Sequence, residues 1–116
     1  MVLRRFGMSN ENQRKLRRVE VHQNIDVFNL ISGLSVGRLV NIHREGLMII
    51  GDSDMKADSL YQLSLRLPEP IEGQKEILLG VDCLWVRASE DQHQHWTGFH
   101  IIDISAQGLA LIDSLV

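Results

Sequence analysis

The sequence predicts a mostly β fold of six strands joined by short turns, closed as an antiparallel barrel or sandwich, with one helix against an opening. Three observations carry this. In residues 60–67, Tyr61, Leu63, Leu65 and Leu67 fall on one face and Gln62, Ser64 and Arg66 on the other, the alternation of a half-buried strand. Several short apolar runs are separated by Gly, Asn, Asp, Ser and Pro, which punctuate strands. Near the end, Ser105 precedes Leu109, Ile112 and Leu115/Val116 at helical spacing.

Taken in order, residues 1–20 have no apolar periodicity and form a basic arm, and residues 21–116 form the barrel domain with its C-terminal helix. Within the arm, Ser9 or Asn10 can cap a short helix, with Gln13 three residues after Asn10; such a helix is marginal alone. The first strand is expected over residues 25–31, a turn at Ser32–Ser35, the second strand over 36–42 and the third over 46–50. A polar turn begins at Gly51 and the connection runs to about Ser59. The fourth strand, 60–67, is stopped by Pro68-Glu-Pro-Ile-Glu-Gly-Gln. A long strand follows over 77–87, with Ile77, Leu79, Val81, Cys83 and Trp85 on one face. Ala88 to His95 is a polar loop, and residues 96–104 make the sixth strand. Gly108 disfavours the final helix by ~1 kcal/mol relative to Ala.

The chain has 116 residues, 44% apolar and 23% charged, which suits one ordinary globular domain. No apolar run nears the ~20 residues of a membrane helix, and the start lacks the apolar core of a signal peptide. Cys83 is the only cysteine, so no internal disulfide forms and a cytoplasmic location is expected. The net charge of -3 is unevenly spread. Residues 1–22 carry six Arg/Lys against two Glu, a balance of +4; the remainder carries 6 against 13, a balance of -7. An acidic body repels a long polyanion, so no DNA binding is expected, while a small anion gripped by the arm is compatible. Charge alone favours a plainer reading, a solubilising tail folded back on the body.

Two motifs bear on function. Arg14-Lys15-Leu16-Arg17-Arg18 ends the arm with an R-x-x-x-R spacing, and Asn41-Ile42-His43-Arg44-Glu45-Gly46 is an N-x-x-x-x-G turn between two strand candidates. Arginine forks match phosphate oxygens and the Hoogsteen edge of guanine. A carboxamide in a tight turn can read a base edge, and glycine admits close backbone approach. Together they suggest a pocket for a guanine nucleotide. The plainer alternatives are solvated cations and an Asn that merely favours turns.

These residues resemble the PilZ domain, a bacterial receptor module for cyclic di-GMP, over roughly residue 14 to the end. Arg14 and Arg18 fit the family's R-x-x-x-R, and Asn41 and Gly46 fit its [D/N]-x-[S/A]-x-x-G turn. Cys83-Leu84-Trp85-Val86, then Thr97-Gly98-Phe99 and a C-terminal helix, match its later pattern. The resemblance implies a six-stranded antiparallel β-barrel with a C-terminal helix and a basic N-terminal arm. It implies a non-enzymatic receptor in which Arg14 and Arg18 clasp guanine edges and phosphates, Arg17 stacks or touches phosphate, and Asn41, His43 and Gly46 complete the site. Binding would order the arm and signal to a downstream protein that the sequence does not name. His43 stands where the family has Ser or Ala. Its ring either stacks on a base or closes the pocket, and the latter would make the chain a nucleotide-free adaptor.

Other readings are weaker. A barrel for single-stranded nucleic acid needs exposed aromatics on a basic face, whereas aromatics are 5% and the body is acidic. His93, His95, His100 and Cys83 lack a metal-ligand spacing, and the Asp52, Asp54, Asp58 turn lacks the pattern of a calcium loop; no metal or other cofactor is expected. Trp85 and Trp96 read as core or edge aromatics rather than stacking platforms. Nothing resembles a nucleophile elbow, a phosphate loop or a paired-carboxylate site. Membrane insertion is not expected, and homodimerisation is left open.

Overall fold

The computed structural model describes residues 24–115, together with the backbone of Val19 and Glu20. Seven strands precede one helix: β1 Val19–Glu20, β2 Asp26–Asn29, β3 Ser35–His43, β4 Gly46–Gly51, β5 Leu60–Ile71, β6 Gln74–Ala88, β7 His95–Ile104 and α1 Ala106–Leu115. The pairing order is β1-β3-β2-β5-β6-β7-β4, and β4 also pairs with β3. That last pairing closes β2 to β7 into a six-stranded ring in which every neighbour is antiparallel. Closure removes the unpaired edges that an open sheet exposes. β1 is an addition to the ring, seated on β3 beyond the start of β2.

Alternation decides what fills the barrel. Leu63 and Leu65 of β5, Ile77, Val81 and Cys83 of β6 and Phe99 of β7 are buried. Phe99 meets Tyr61 edge to face, centroids 6.4 Å apart. The β4–β5 connection crosses one opening: Met55 is buried there, the Lys56 N–H donates to the Tyr61 hydroxyl at 3.0 Å, and the Asp58 N–H donates to the Cys83 carbonyl at 2.7 Å. At the other opening α1 buries Leu111 and Ile112. Ser105 caps this helix as expected, its Oγ accepting from the Gly108 N–H at 3.0 Å. Gly108 is buried, and a Cβ there would lie 2.9 Å from Ile104 Cγ1; close packing offsets its poor helix propensity.

Three strand boundaries differ from expectation, and β1 adds a strand at the end of the stretch read as an arm; β6 begins at Gln74 rather than residue 77. β2 ends at Asn29, because the Asn29 carboxamide folds residues 30–34 into a turn: its Oδ1 accepts from the N–H groups of Ile31 and Ser32. β5 does not stop at Pro68 but continues to Ile71. Pro68 and Pro70 lie where the β5–β6 register shifts between Arg66 and Ile71. An irregular stretch tolerates residues that donate no N–H. The hairpin then turns on Glu72 (φ 49°) and Gly73 (φ 80°), the paired left-handed residues of a type I′ turn.

The tightest backbone approach joins β3 to β4. A Cβ on Gly51 would lie 2.4 Å from the Val36 carbonyl oxygen and 2.6 Å from Gly37 Cα, and a Cβ on Gly37 would lie 2.5 Å from the Ile50 oxygen. Gly51→Ala is therefore expected to destabilise the protein by about 1–3 kcal/mol through overpacking, read as a lower midpoint in urea at unchanged slope. Glu72→Asn should act in the opposite direction, stabilising by about 1 kcal/mol because Asn tolerates the left-handed region; an unchanged or lower melting temperature would contradict this.

Candidate functional site

Asn41 and His43 lie two residues apart on β3, flanking the buried Ile42, so both side chains belong to the outer face of the barrel. His43 pairs with Gly46 across the two-residue Arg44-Glu45 turn. The Glu45 N–H donates to His43 Nδ1 at 3.0 Å, which fixes the ring against the turn. The turn is tied down on two further sides. The Ile101 N–H of β7 donates to the Glu45 carbonyl at 2.8 Å, and Arg44 Nε lies 3.4 Å from Asp113 Oδ1 on α1. That ion pair is half exposed and contributes little alone, but it links the turn to the helix.

Register extends this site across four strands. Asn41 pairs with Met48, Met48 with Gly98, and Gly98 with Trp85. On one side runs the row His43, Gly46, His100, Asp82. On the other runs Arg38, Ile50, Trp96, Arg87. The Trp85 ring lies on the backbone of Gly98: a Cβ there would sit 2.3 Å from Trp85 Cε2. The Arg87 guanidinium is 5.4 Å from the Trp85 ring centre, within cation–π range. Trp85 and Trp96 are half-buried on strands that have neighbours on both sides, so they are neither core nor edge residues.

Asn41 has a second distinctive property. Its Oδ1 is buried and, among the described residues, lacks a hydrogen-bond donor. An unmet buried acceptor costs about 1–3 kcal/mol. His95 Nδ1 is the other such side-chain atom among the described residues. On the opposite edge of β3, Glu20 of β1 pairs with Asn41 and Val19 with Ile42. Arg14, Arg17 and Arg18 lie outside the described residues.

Cys83 and Asp91 are engaged elsewhere. Cys83 is buried; burial, and then the Asp82 carboxylate, push its thiol above the usual range, which keeps it protonated and unreactive. The Asp91 carboxylate is held below its usual range by the Ser89 hydroxyl and then by the His93 N–H, bonds that staple the β6–β7 loop at 2.6 and 3.0 Å. No group of three or more His, Cys, Asp or Glu among the described residues is arranged to hold a metal ion. None of the described helices is long and apolar enough to cross a membrane.

The sequence pointed to Asn41 as a turn residue, whereas the structure has Asn41 and His43 on β3 and Gly46 on β4, with only Arg44 and Glu45 in the turn. It did not find Trp85, Trp96, Arg38 or Arg87 as part of the same surface. Alternation put Trp85 on the inner face with Ile77, Leu79, Val81 and Cys83, and the register shift between Cys83 and Trp85 turns it outward; for the other three, alternation says that a residue faces outward but not which strand lies beside it.

No protein-family model matches the chain, and no curated protein matches it significantly. Solved structures do match. The Bacillus subtilis inhibitor of motility, MotI/DgrA, superposes with a TM-score of 0.64 at 14% identity, over 88% of this chain and 48% of that one. The PilZ domain of CeSA from a cellulose-synthesising bacterium gives 0.57 at 17% identity, over 86% of this chain and 94% of that domain. PlzA of Borreliella burgdorferi, in a structure with c-di-GMP, gives 0.53 at 15% identity, over 83% of this chain and 44% of that one. The chain thus has a PilZ-like fold, and it spans about half the length of MotI/DgrA and of PlzA.

Gly98→Ala should unseat the Trp85 indole, because a methyl group cannot share the space of the ring. The expected result is a red-shifted tryptophan emission and a loss of about 1–3 kcal/mol of stability; a wild-type spectrum would show that the ring does not depend on this contact.

Proposed function

We propose that this chain is a PilZ receptor module that takes cyclic di-GMP on the outer face of β3 and β4, between Asn41 and the arm that bears Arg14 and Arg18. The observation that carries this is the β1 pairing: Val19 and Glu20 are seated against Ile42 and Asn41. Arg18 is bonded directly to Val19, and a trans peptide separates successive Cα atoms by about 3.8 Å. This pairing supports a site that joins the R-x-x-x-R motif to the N-x-x-x-x-G turn.

The chemistry of the face supports the same ligand. The unmet Asn41 Oδ1 suits an N–H donor such as the exocyclic amine of guanine. Trp85 lies flat over glycine in the same row, and a half-exposed indole favours stacking with a planar base. Arg14, Arg17 and Arg18 would supply the charge that two phosphodiesters need, and Arg38 and Arg87 lie at the border. In this reading His43, held by the Glu45 N–H, presents its ring edge to the ligand. Ordering of the arm is the signal, read by a downstream protein. Arg44 and Asp113 give the turn a route to α1.

Titration calorimetry of the full chain with cyclic di-GMP tests this. Binding is expected, weakened tenfold or more by Arg14→Ala, Arg18→Ala or Asn41→Ala, in keeping with about 1–3 kcal/mol per lost bidentate contact. Binding indifferent to all three substitutions would reject the site. No binding by the wild type, with binding gained in His43→Ser, would instead assign the chain as the nucleotide-free adaptor.

A further inference from the structure

The β5–β6 hairpin runs past the barrel, and one of its edges is open. β7 accompanies β6 only as far as the pairing of Ile104 with Leu79, so Gln74–Leu78 has β5 on one side and, among the described residues, no strand on the other. Parity fixes which backbone groups this leaves open. The Leu30 N–H donates to the Gln62 carbonyl, which puts the backbone groups of Gln62 on the β2 side of β5. Those of Leu63 and Leu65 therefore lie on the β6 side, because successive residues alternate. Leu63 and Leu65 pair with Leu79 and Ile77, so Ile77 and Leu79 bond to β5 while Glu76 and Leu78 point their N–H and carbonyl groups away from it. No hydrogen bond from α1 or from the β7–α1 junction reaches those groups among the described residues. The other edge of the hairpin carries Pro68 and Pro70, which offer no N–H to a new strand. Gln74–Leu78 has no proline.

The open edge is one wall of a cleft. Glu76 and Leu78 lie on one side and Gln107, Gly108 and Leu111 of α1 on the other, around an open volume of about 200 Å³. At Leu78 and Ser105 the cleft meets a second hollow of about 430 Å³, which holds Gln62 and Asp103. A strand edge beside a helix is an arrangement that receives an extended peptide as an added strand.

Charge defines the peptide further. A strand that continued the line of β7 would set one residue opposite Leu78, between the Asp103 and Glu76 carboxylates on the outer face. Glu76 is engaged by Ser64 Oγ and lies 3.5 Å from Arg66 Nε, whereas Asp103 has no ion pair among the described residues. Lys75 has the opposite parity and belongs to the other face of β6. Leu78 is 51% exposed. The aliphatic stem of an Arg or Lys would cover it while the charged head stayed at Asp103.

We propose that Gln74–Leu78 is a docking edge for an extended segment of another protein, added antiparallel to β6 in the line of β7, with an Arg or Lys opposite Leu78. Main-chain bonds to Glu76 and Leu78 attach the segment, and the basic side chain at Asp103 sets its register. The edge does not depend on a nucleotide at the Asn41 face.

Amide NMR on the isotope-labelled full chain, without nucleotide, tests this with the synthetic peptide acetyl-Thr-Val-Arg-Val-Thr-amide. Saturable shifts are expected at the Glu76, Leu78 and Gly108 amides, with slowed hydrogen exchange at Leu78. The same peptide N-methylated at its arginine lacks the N–H opposite Leu78 and should produce neither effect. Glutamate in place of the arginine should weaken binding by about tenfold or more. Leu78→Pro removes an outward N–H and no bond to β5, so it should abolish binding while circular dichroism and a cooperative melt show an intact fold. Asp103→Asn, which should weaken binding without disturbing the barrel, serves in its place should Leu78→Pro fail to fold. Absence of shifts at this edge, or binding that is indifferent to N-methylation or to the glutamate replacement, would overturn the proposal. So would a Leu78 amide already protected in the chain alone: protection that survives dilution would assign the edge to the chain's own N-terminal residues, and protection lost on dilution to a second copy.

Discussion

The barrel depends on β3 being paired along both edges. One edge carries β2 and then β1, and the other carries β4. Without the β3–β4 pairing the remaining order is an open sheet with β4 at one end. Closure requires the two backbones to approach until no Cβ fits at Gly37 or Gly51. The same pairing sets Asn41 opposite Met48 and His43 opposite Gly46. The contact that closes the fold is therefore also the one that positions the proposed nucleotide site.

Closure also explains why polar and aromatic groups collect outside the barrel. A six-stranded ring has only enough interior for side chains such as Phe99, Leu63 and Ile77, and the half-buried indoles and the arginines beside them lie on the outer wall. There Trp85 lies flat over Gly98 and Arg87 approaches the ring. On the wall of β2, β5 and β6, Phe28 is covered instead by Arg66 at 4.3 Å, and Arg66 is bound to Ser64 and Glu76. That local network is satisfied from within.

The Arg44-Glu45 turn joins three elements at once. Its carbonyl holds β7, its Arg44 side chain reaches α1, and its strands belong to the closing pair. His43 thus flanks a segment already connected to the helix that packs against the barrel. Such a connection is mechanical and short, unlike a relay of packed side chains across the core.

Much of this was legible from residue order. Strict alternation at Tyr61–Leu67, the Ser105 cap and the spacing of Leu109 and Ile112 identified the β class and the final helix, because these signals are local. The Asn41–Gly46 motif was legible for the same reason, since a two-residue turn dictates the pairing of its flanks. Prolines misled at Pro68 and Pro70: their missing N–H groups argue for a stop, yet a shifted register accommodates them. The β2–β3 turn began earlier than expected because Asn29 bonds to its own backbone. Trp85 joined Gly98, and Met48 joined both, only through the pairings of β4 with β7 and β7 with β6. Linear order determined which residues alternate and where the chain turns, for those follow from backbone geometry within a few residues. Which strands became neighbours, and so which side chains share one wall, was decided by packing the barrel as a whole, because pairings between distant segments leave no mark in either segment alone.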